Sequence, residues 1–290
     1  MSPACVRKKH QKTDTMNPGT AYQPGLSFRR YRDIGRDLPI LTVNASLLKQ
    51  PTPLHAKYSM DSDDGASEAL SVGDALHKAI LEPEAFDLSF DDFYMFSPTK
   101  GLDTKKACEA RIMNPDKILL NEEHIDKIKH MRDAIYRHDL ARHLLEKCDR
   151  RELSGVAPDK DLGVVRKIRV DACQGIGIPG EEWSPYLVDV KTTRNIFDFH
   201  RDIRNFHYDI QAAFYLDTDA MITGKPRSSF IFIAVSNTPP YCARVFGLVP
   251  EQIDKARDIY KRRLAALATA FLERKWDAWE HESEPVAIAL

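Results

Sequence analysis

The sequence predicts a mixed α/β domain in which helices flank a central mixed β-sheet. Three observations predict it. Residues 163–172 (GVVRKIRVDA) and 186–192 (YLVDVKT) are rich in β-branched residues and separated by a turn-forming stretch, as an antiparallel pair with a long connection would be. Residues 229–236 (SFIFIAVS) and 241–248 form a second strand pair, joined through Pro239-Pro240. The segments before, between and after these pairs carry helical spacing, so the order is helices, strands, helix, strands, helix.

Taken in order, residues 1–25 are polar and basic (Lys8, Lys9, His10, Lys12) and read as a disordered tail, with a DNA-grasping arm as the alternative. Residues 26–290 read as one domain, with a helical part over 44–147, a sheet core over 150–248 and a C-terminal helix over 250–276. A short helix over 44–58 has Asn44 or Ser46 as its cap and is limited by Pro51 and Pro53. A second helix covers 68–82, where Leu70, Ala75, Leu76, Ala79 and Ile80 recur near helical spacing and Pro83 marks the end. Residues 87–117 read as irregular, and 121–147 as one long amphipathic helix with Ile125, Ile128, Met131 and Ile135 as its apolar stripe. The histidines of that helix (His124, His130, His138, His143) read as ordinary surface residues, not ligands. A helix over 199–217 follows the first strand pair, and Pro250 suits the first turn of the last helix.

Composition narrows the classes. Hydrophobic residues make up 43% of the 290, enough for a substantial core, while a net charge of −1 means that any affinity for nucleic acid rests on a local basic groove. The five cysteines are scattered without a CxxC pair, which excludes a zinc ribbon or a clustered iron–sulfur site and fits a reducing cytoplasm. No apolar run approaches bilayer-spanning length, and the N-terminus has no apolar signal core.

The chemistry concentrates on the first strand pair. Asp189 and Lys191, two apart on a strand, project to one face, while Val190 faces the core. Taken alone they would be a surface ion pair. On the preceding strand Val165, Lys167, Arg169 and Asp171 share a face, and pairing of the strands brings Asp171 towards Asp189. Two neighbouring carboxylates repel unless compensated, and a divalent cation such as Mg²⁺ or Mn²⁺ compensates them. Lys167, Arg169 and Lys191 are then placed to meet a phosphate backbone. A carboxylate-held cation activates water and offsets phosphate charge, and a neighbouring lysine orients that water.

The run Asp171…Asp189-x-Lys191 resembles the motif of the PD-(D/E)XK (restriction-endonuclease-like) nuclease superfamily. Further segments resemble its RecE-type exonucleases, the exodeoxyribonuclease VIII-like branch: Gly73-Asp74-Ala75-Leu76-His77 with Leu81-Glu82-Pro83, Asn44-Ala45-Ser46-Leu47-Leu48-Lys49 with Thr52-Pro53, Glu152 upstream of the hairpin, and Tyr208-Asp209-Ile210-Gln211-Ala212-Ala213-Phe214-Tyr215. The resemblance covers roughly residues 44–275. It departs from the family in the long connection from Asp171 to Asp189, whose extra residues 175–184 suggest a protruding loop, and in the loose match over 93–106.

The resemblance implies that His77, Asp171, Asp189 and the Val190 carbonyl hold the metal, that Lys191 positions the attacking water, and that Glu152 holds a second metal or its water. Gln211 and Tyr215 would support the site or touch DNA, and Tyr208, Gln211 and Tyr215 fall on one helix face. Bland alternatives stand beside these: a buried hydrogen-bonded His77, a solvated Glu152, core packing for Tyr208 and Tyr215, and a solvated face for Arg194, Arg201 and Arg204, which otherwise suit phosphates. The resemblance further implies a Mg²⁺-dependent enzyme digesting double-stranded DNA from an end, 5′ to 3′. It implies a ring-shaped homo-oligomer, a single-strand annealing protein as partner, and a place in phage or bacterial recombination. The competing expectations are an endonuclease of the same superfamily for repair or restriction, and a non-catalytic DNA-binding module of the same fold.

Overall fold

The computed structural model describes residues 20–26, 28–35, 39–62, 68–82, 94–102, 104–114 and 117–278. Its centre is a seven-stranded mixed sheet with the spatial order β1 (Ala21–Gln23), β5 (Arg150–Asp159), β6 (Val164–Cys173), β7 (Tyr186–Thr193), β8 (Ser229–Ser236) and β9 (Ala243–Gly247). The two-residue strand β2 (Thr42–Val43) lies parallel to β6. A separate parallel pair joins β3 (Tyr94–Phe96) and β4 (Ile118–Leu120). The helices are α1 (Phe28–Asp33), α2 (Ala45–Leu48), α3 (Pro53–Asp61), α4 (Glu68–Leu81), α5 (Lys105–Met113), α6 (Glu122–Arg137), α7 (Asp139–Lys147), α8 (Phe199–Asn205), α9 (Tyr208–Thr223) and α10 (Pro250–Glu273).

The helices cover both faces. On one face α2, α9 and α10 bury Leu48, Ile210, Phe214, Tyr260 and Leu264 with Ile168, Val170, Phe230 and Phe232 of the sheet. On the other, α4 and α6 bury Leu76, Ile80, Ile128 and Met131 against Val188, Val190, Ile233 and Val235. A sheet covered this way needs apolar residues on both sides, and β8 reads apolar almost throughout for that reason. Helix α9 is buried nearly all round, from Ile210 to Leu216, as a helix sandwiched between sheet and helices must be.

The sheet splits at one place. β6 pairs with β5 along nearly its whole length, but with β7 only at Ala172–Val188 and Cys173–Leu187. β2 occupies the same open edge of β6 lower down, at Val165 and Arg166. Between these two contacts the edge of β6 has no strand partner among the described residues, and the next rung would set Asp171 opposite Asp189. Here the Asp171 carboxylate accepts the Val190 N–H at 2.8 Å in place of a backbone carbonyl.

Several predicted elements change form. The helix expected over 121–147 breaks at His138, whose extended backbone (φ −83°, ψ 107°) ends α6 and whose Nδ1 accepts the Ala141 N–H to cap α7. The helix expected over 44–58 is two, capped by Asn44 and Thr52, and the helix over 199–217 turns at His207, which sits in the left-handed region at φ 52°. Within the stretch read as irregular, β3 and α5 form; Pro83 and residues 84–93 lie outside the described residues, as does most of the expected N-terminal tail.

The connection over 175–184 is an ordered loop. Arg227 is its clamp, with a guanidinium that donates to the Gln174, Gly175, Ser184 and Tyr186 carbonyls, pairs with Asp219 at 3.1 Å and lies 3.5 Å over the Trp183 ring.

Candidate metal centre and catalytic site

Three elements converge on the mouth of the split. Helix α4 buries Val72, Ala75, Leu76, Ala79 and Ile80, which leaves His77 at the boundary facing β6. His77 Nδ1 lies 3.4 Å from Asp171 Oδ2 and 3.9 Å from Glu152 Oε1. Glu152 interrupts the β5–β6 ladder with a left-handed backbone (φ 46°), and Arg169 fixes its carboxylate from the next strand at 2.5 Å. A non-glycine residue held there costs of order 1–3 kcal/mol, a distortion that aims the side chain at Asp171 and His77.

One ligand atom from each of His77, Glu152 and Asp171 lies within 4.8 Å of the others. The two carboxylates suit Mg²⁺ or Mn²⁺, and the imidazole favours Mn²⁺, so the donor set fits a divalent cation. Asp189 stands outside this trio. Its carboxylate takes the Lys191 ammonium at 2.6 Å and the Gln211 amide at 2.7 Å. The Val190 N–H points at Asp171; in an extended strand the carbonyl of the same residue faces the same edge, which turns it towards the split.

The electrostatics follow from burial of unequal charge. Burial pushes the Asp171 carboxyl up to about 7, Asp189 and Glu152 add to the rise, and His77 and Lys191 oppose it. Burial pushes the His77 imidazole down, but Asp171 and Glu152 outweigh it and the net shift is upward. Burial likewise opposes the charge on Lys191, while Asp189 and Asp171 hold it above the usual lysine value.

Helix α9 closes the other side. Gln211 bridges Asp189 to the Lys49 ammonium, which donates to the Gln211 carbonyl oxygen at 2.9 Å. The ammoniums of Lys49 and Lys191 lie 4.9 Å and 5.1 Å from the Tyr208 ring centroid. Burial and the neighbouring Lys191 charge push Lys49 down to about 8, against the pull of Asp189 and Asp209. Tyr215 is buried in the core with its ring edge-on to Phe230.

Two predicted DNA contacts are corrected. Lys167 is buried, and its ammonium donates to the Tyr31, Arg32 and Ile34 carbonyls, at the C-terminal end of α1. Arg169 is spent on Glu152, Ser154 and the Leu26 carbonyl. Period-two counting found their shared face; it could not show that Leu26 and the end of α1 cover that face. Arg194, Arg201 and Arg204 are exposed beyond the end of β7 and on α8. Lys49 received no role from sequence reasoning, although it ends the segment Asn44–Lys49; its signal was a lone cation among apolar neighbours just ahead of Pro51.

A family model described as a PDDEXK-like domain of unknown function (DUF3799) matches residues 45–286. No curated protein matches the chain. Among solved structures, a protein from Eubacterium rectale, assigned by inference as an exonuclease, superposes with a TM-score of 0.59 at 13% identity, covering 92% of this chain and 97% of its own. A phage-related exonuclease from Haemophilus somnus 129PT is 12% identical over 69% of this chain and 94% of its own; its TM-score of 0.30 is too low to bear on the fold.

Proposed function

The chain belongs to the PDDEXK-like family DUF3799, and from that membership and the site's geometry we propose that it is a divalent-metal-dependent deoxyribonuclease acting on the ends of double-stranded DNA. The observation that carries this reading is the trio of His77, Glu152 and Asp171 across from the Asp189–Lys191 pair, where β6 and β7 part.

In this reading His77, Glu152 and Asp171 hold the cation, with Asp189 and the Val190 carbonyl facing it across the split. A cation so held makes bound water nucleophilic near neutral pH and offsets charge on the phosphate. Lys191 Nζ orients the attacking water and meets the charge developing on the phosphate oxygens. Gln211 keeps the Asp189 carboxylate in place, and Arg169 does the same for Glu152. Arg194, Arg201 and Arg204 supply exposed positive charge near the site to meet the phosphate backbone.

The finer reading is digestion from 5′ to 3′ that leaves 3′ tails, by a ring-shaped homo-oligomer working with a single-strand annealing protein in the cytoplasm of a bacterium or phage-infected cell, with residues 26–290 as one nuclease domain. It rests on the RecE-type motif segments. No described helix is long and apolar enough to cross a membrane.

The test is digestion of end-labelled linear duplex beside a covalently closed circle, with Mg²⁺, with Mn²⁺ and with EDTA. Loss of the linear form alone, and only with metal, is expected. Nicking of the circle would favour an endonuclease, and an intact linear form in every lane would leave only a DNA-binding module.

A further inference from the structure

A row of rings leads from the core to solvent beside the catalytic lysine. Phe246 lies 4.9 Å from Phe199, Phe199 lies 6.2 Å from Tyr208, and Tyr208 lies 5.7 Å from Phe206, the planes of that last pair tilted by 34°. The inner rings are packed against Phe232. Phe206, the outer one, is 55% exposed. Its neighbour Tyr208 is the ring whose centroid the Lys49 and Lys191 ammoniums approach. An open aromatic surface therefore stands one ring away from the group that faces the reacting phosphate.

The backbone holds it there. Phe206 ends α8, and His207 follows in the left-handed region (φ 52°, ψ 45°) before α9 begins. Glycine or asparagine commonly fills such a corner, and histidine adopts it here against the steric preference of an L side chain. The corner fixes where Phe206 points relative to Tyr208. Arg204 and Asn205, just ahead of it, are also exposed. A phenyl ring more than half exposed, next to a ring that two ammoniums approach, is open to a flat partner.

We propose that Phe206 is a stacking platform for the unpaired nucleobase next to the cleaved phosphate. Every base offers a π-face, so a platform of this kind holds the terminal nucleotide without reading its identity. It also rewards separation of the last base pair, because the freed base gains a partner. The inference rests on the nuclease reading above, and the experiment separates the two.

The experiment measures binding of the full-length protein, in EDTA, to a linear duplex ending in one unpaired nucleotide, with or without its base. Wild type, Phe206→Ala and Phe206→Trp are compared. Either removing the base or making Phe206→Ala weakens binding about tenfold, the scale of one base–aromatic stack. The two changes together weaken it no further, because both delete the same contact. Phe206→Trp binds at least as tightly as wild type and keeps its dependence on the base. A merely structural Phe206 would not respond to a change in the DNA. Unchanged binding by Phe206→Ala, or losses that multiply to about a hundredfold, would overturn the proposal while wild type still digests linear duplex with Mg²⁺. A wild-type protein that neither binds nor digests the duplex overturns the nuclease reading, and this inference with it.

Discussion

Two of the buried charge clusters lie one at each side of the β6–β7 contact, and they are built differently. In the clamp, Arg227 and Asp219 have fully buried side chains, and every group is answered: the guanidinium meets Asp219 and four carbonyls, and Asp219 also takes the Tyr22 hydroxyl at 2.5 Å. In the site, Glu152, Asp171 and Asp189 are gathered about a histidine and a lysine, and the Asp171 carboxyl is driven up to about 7. The clamp is balanced and needs nothing from outside. In the site Arg169 answers Glu152 and Lys191 answers Asp189, while the buried Asp171 has only His77 beside it and the Val190 N–H; in the proposed reading an added cation completes it. Complete pairing marks the clamp as structural, and a carboxyl pushed far from its ordinary range marks the other cluster as the candidate site.

The largest expected effect falls on the site alone. Lys191→Ala lowers the cleavage rate per folded molecule by about a thousandfold, the scale of a lost charge-stabilising group, and also lowers the urea midpoint because Asp189 loses its buried partner, while DNA binding stays near wild type. Near-wild-type digestion by this variant would remove Lys191 from the water-positioning role. The clamp should show the opposite pattern. Arg227→Ala strands Asp219 in the core and costs about 3–5 kcal/mol of stability, read from urea unfolding, with cleavage per folded molecule little changed. A stable Arg227→Ala variant that had lost activity would erase the distinction between the two clusters.

The distinction was only half legible in the sequence. Asp171, Asp189 and Lys191 could be found because strand periodicity and a spaced motif point to the same residues. Glu152 was flagged, but β5 was not, since its run Arg150–Asp159 mixes charge, glycine and proline and lacks clean alternation. Lys167 and Arg169 were misassigned because a pattern gives a face and not what lies over it; α1 and Leu26 lie over it. The split of the long helix at His138 depends on a side-chain cap that helical periodicity does not register. The clamp went unseen because Arg227 makes its bonds to backbone carbonyls about 40 to 50 residues away.

Acidity sharpens the comparison further. The folded Asp171 carboxyl keeps its proton up to about pH 7, whereas an ordinary aspartate loses it near 3.8. Between those values the folded state binds the extra proton, so this group makes the metal-free protein less stable as pH rises through that window. Asp171→Asn should flatten that slope in melting curves taken from pH 4 to 8. A slope identical in both proteins would place the acid dependence elsewhere. The smallest effect is expected one contact further out: Gln211→Ala frees the Asp189 carboxylate from its amide and should cost about tenfold in cleavage, the scale of an outer-shell partner.

Calorimetric titration of Mn²⁺ into the wild-type protein and Asp171→Ala at pH 7.5 tests the central claim most directly. The account predicts saturable binding that the variant loses or weakens by at least tenfold, with its fold intact by circular dichroism. Equal affinity in the two proteins would contradict it.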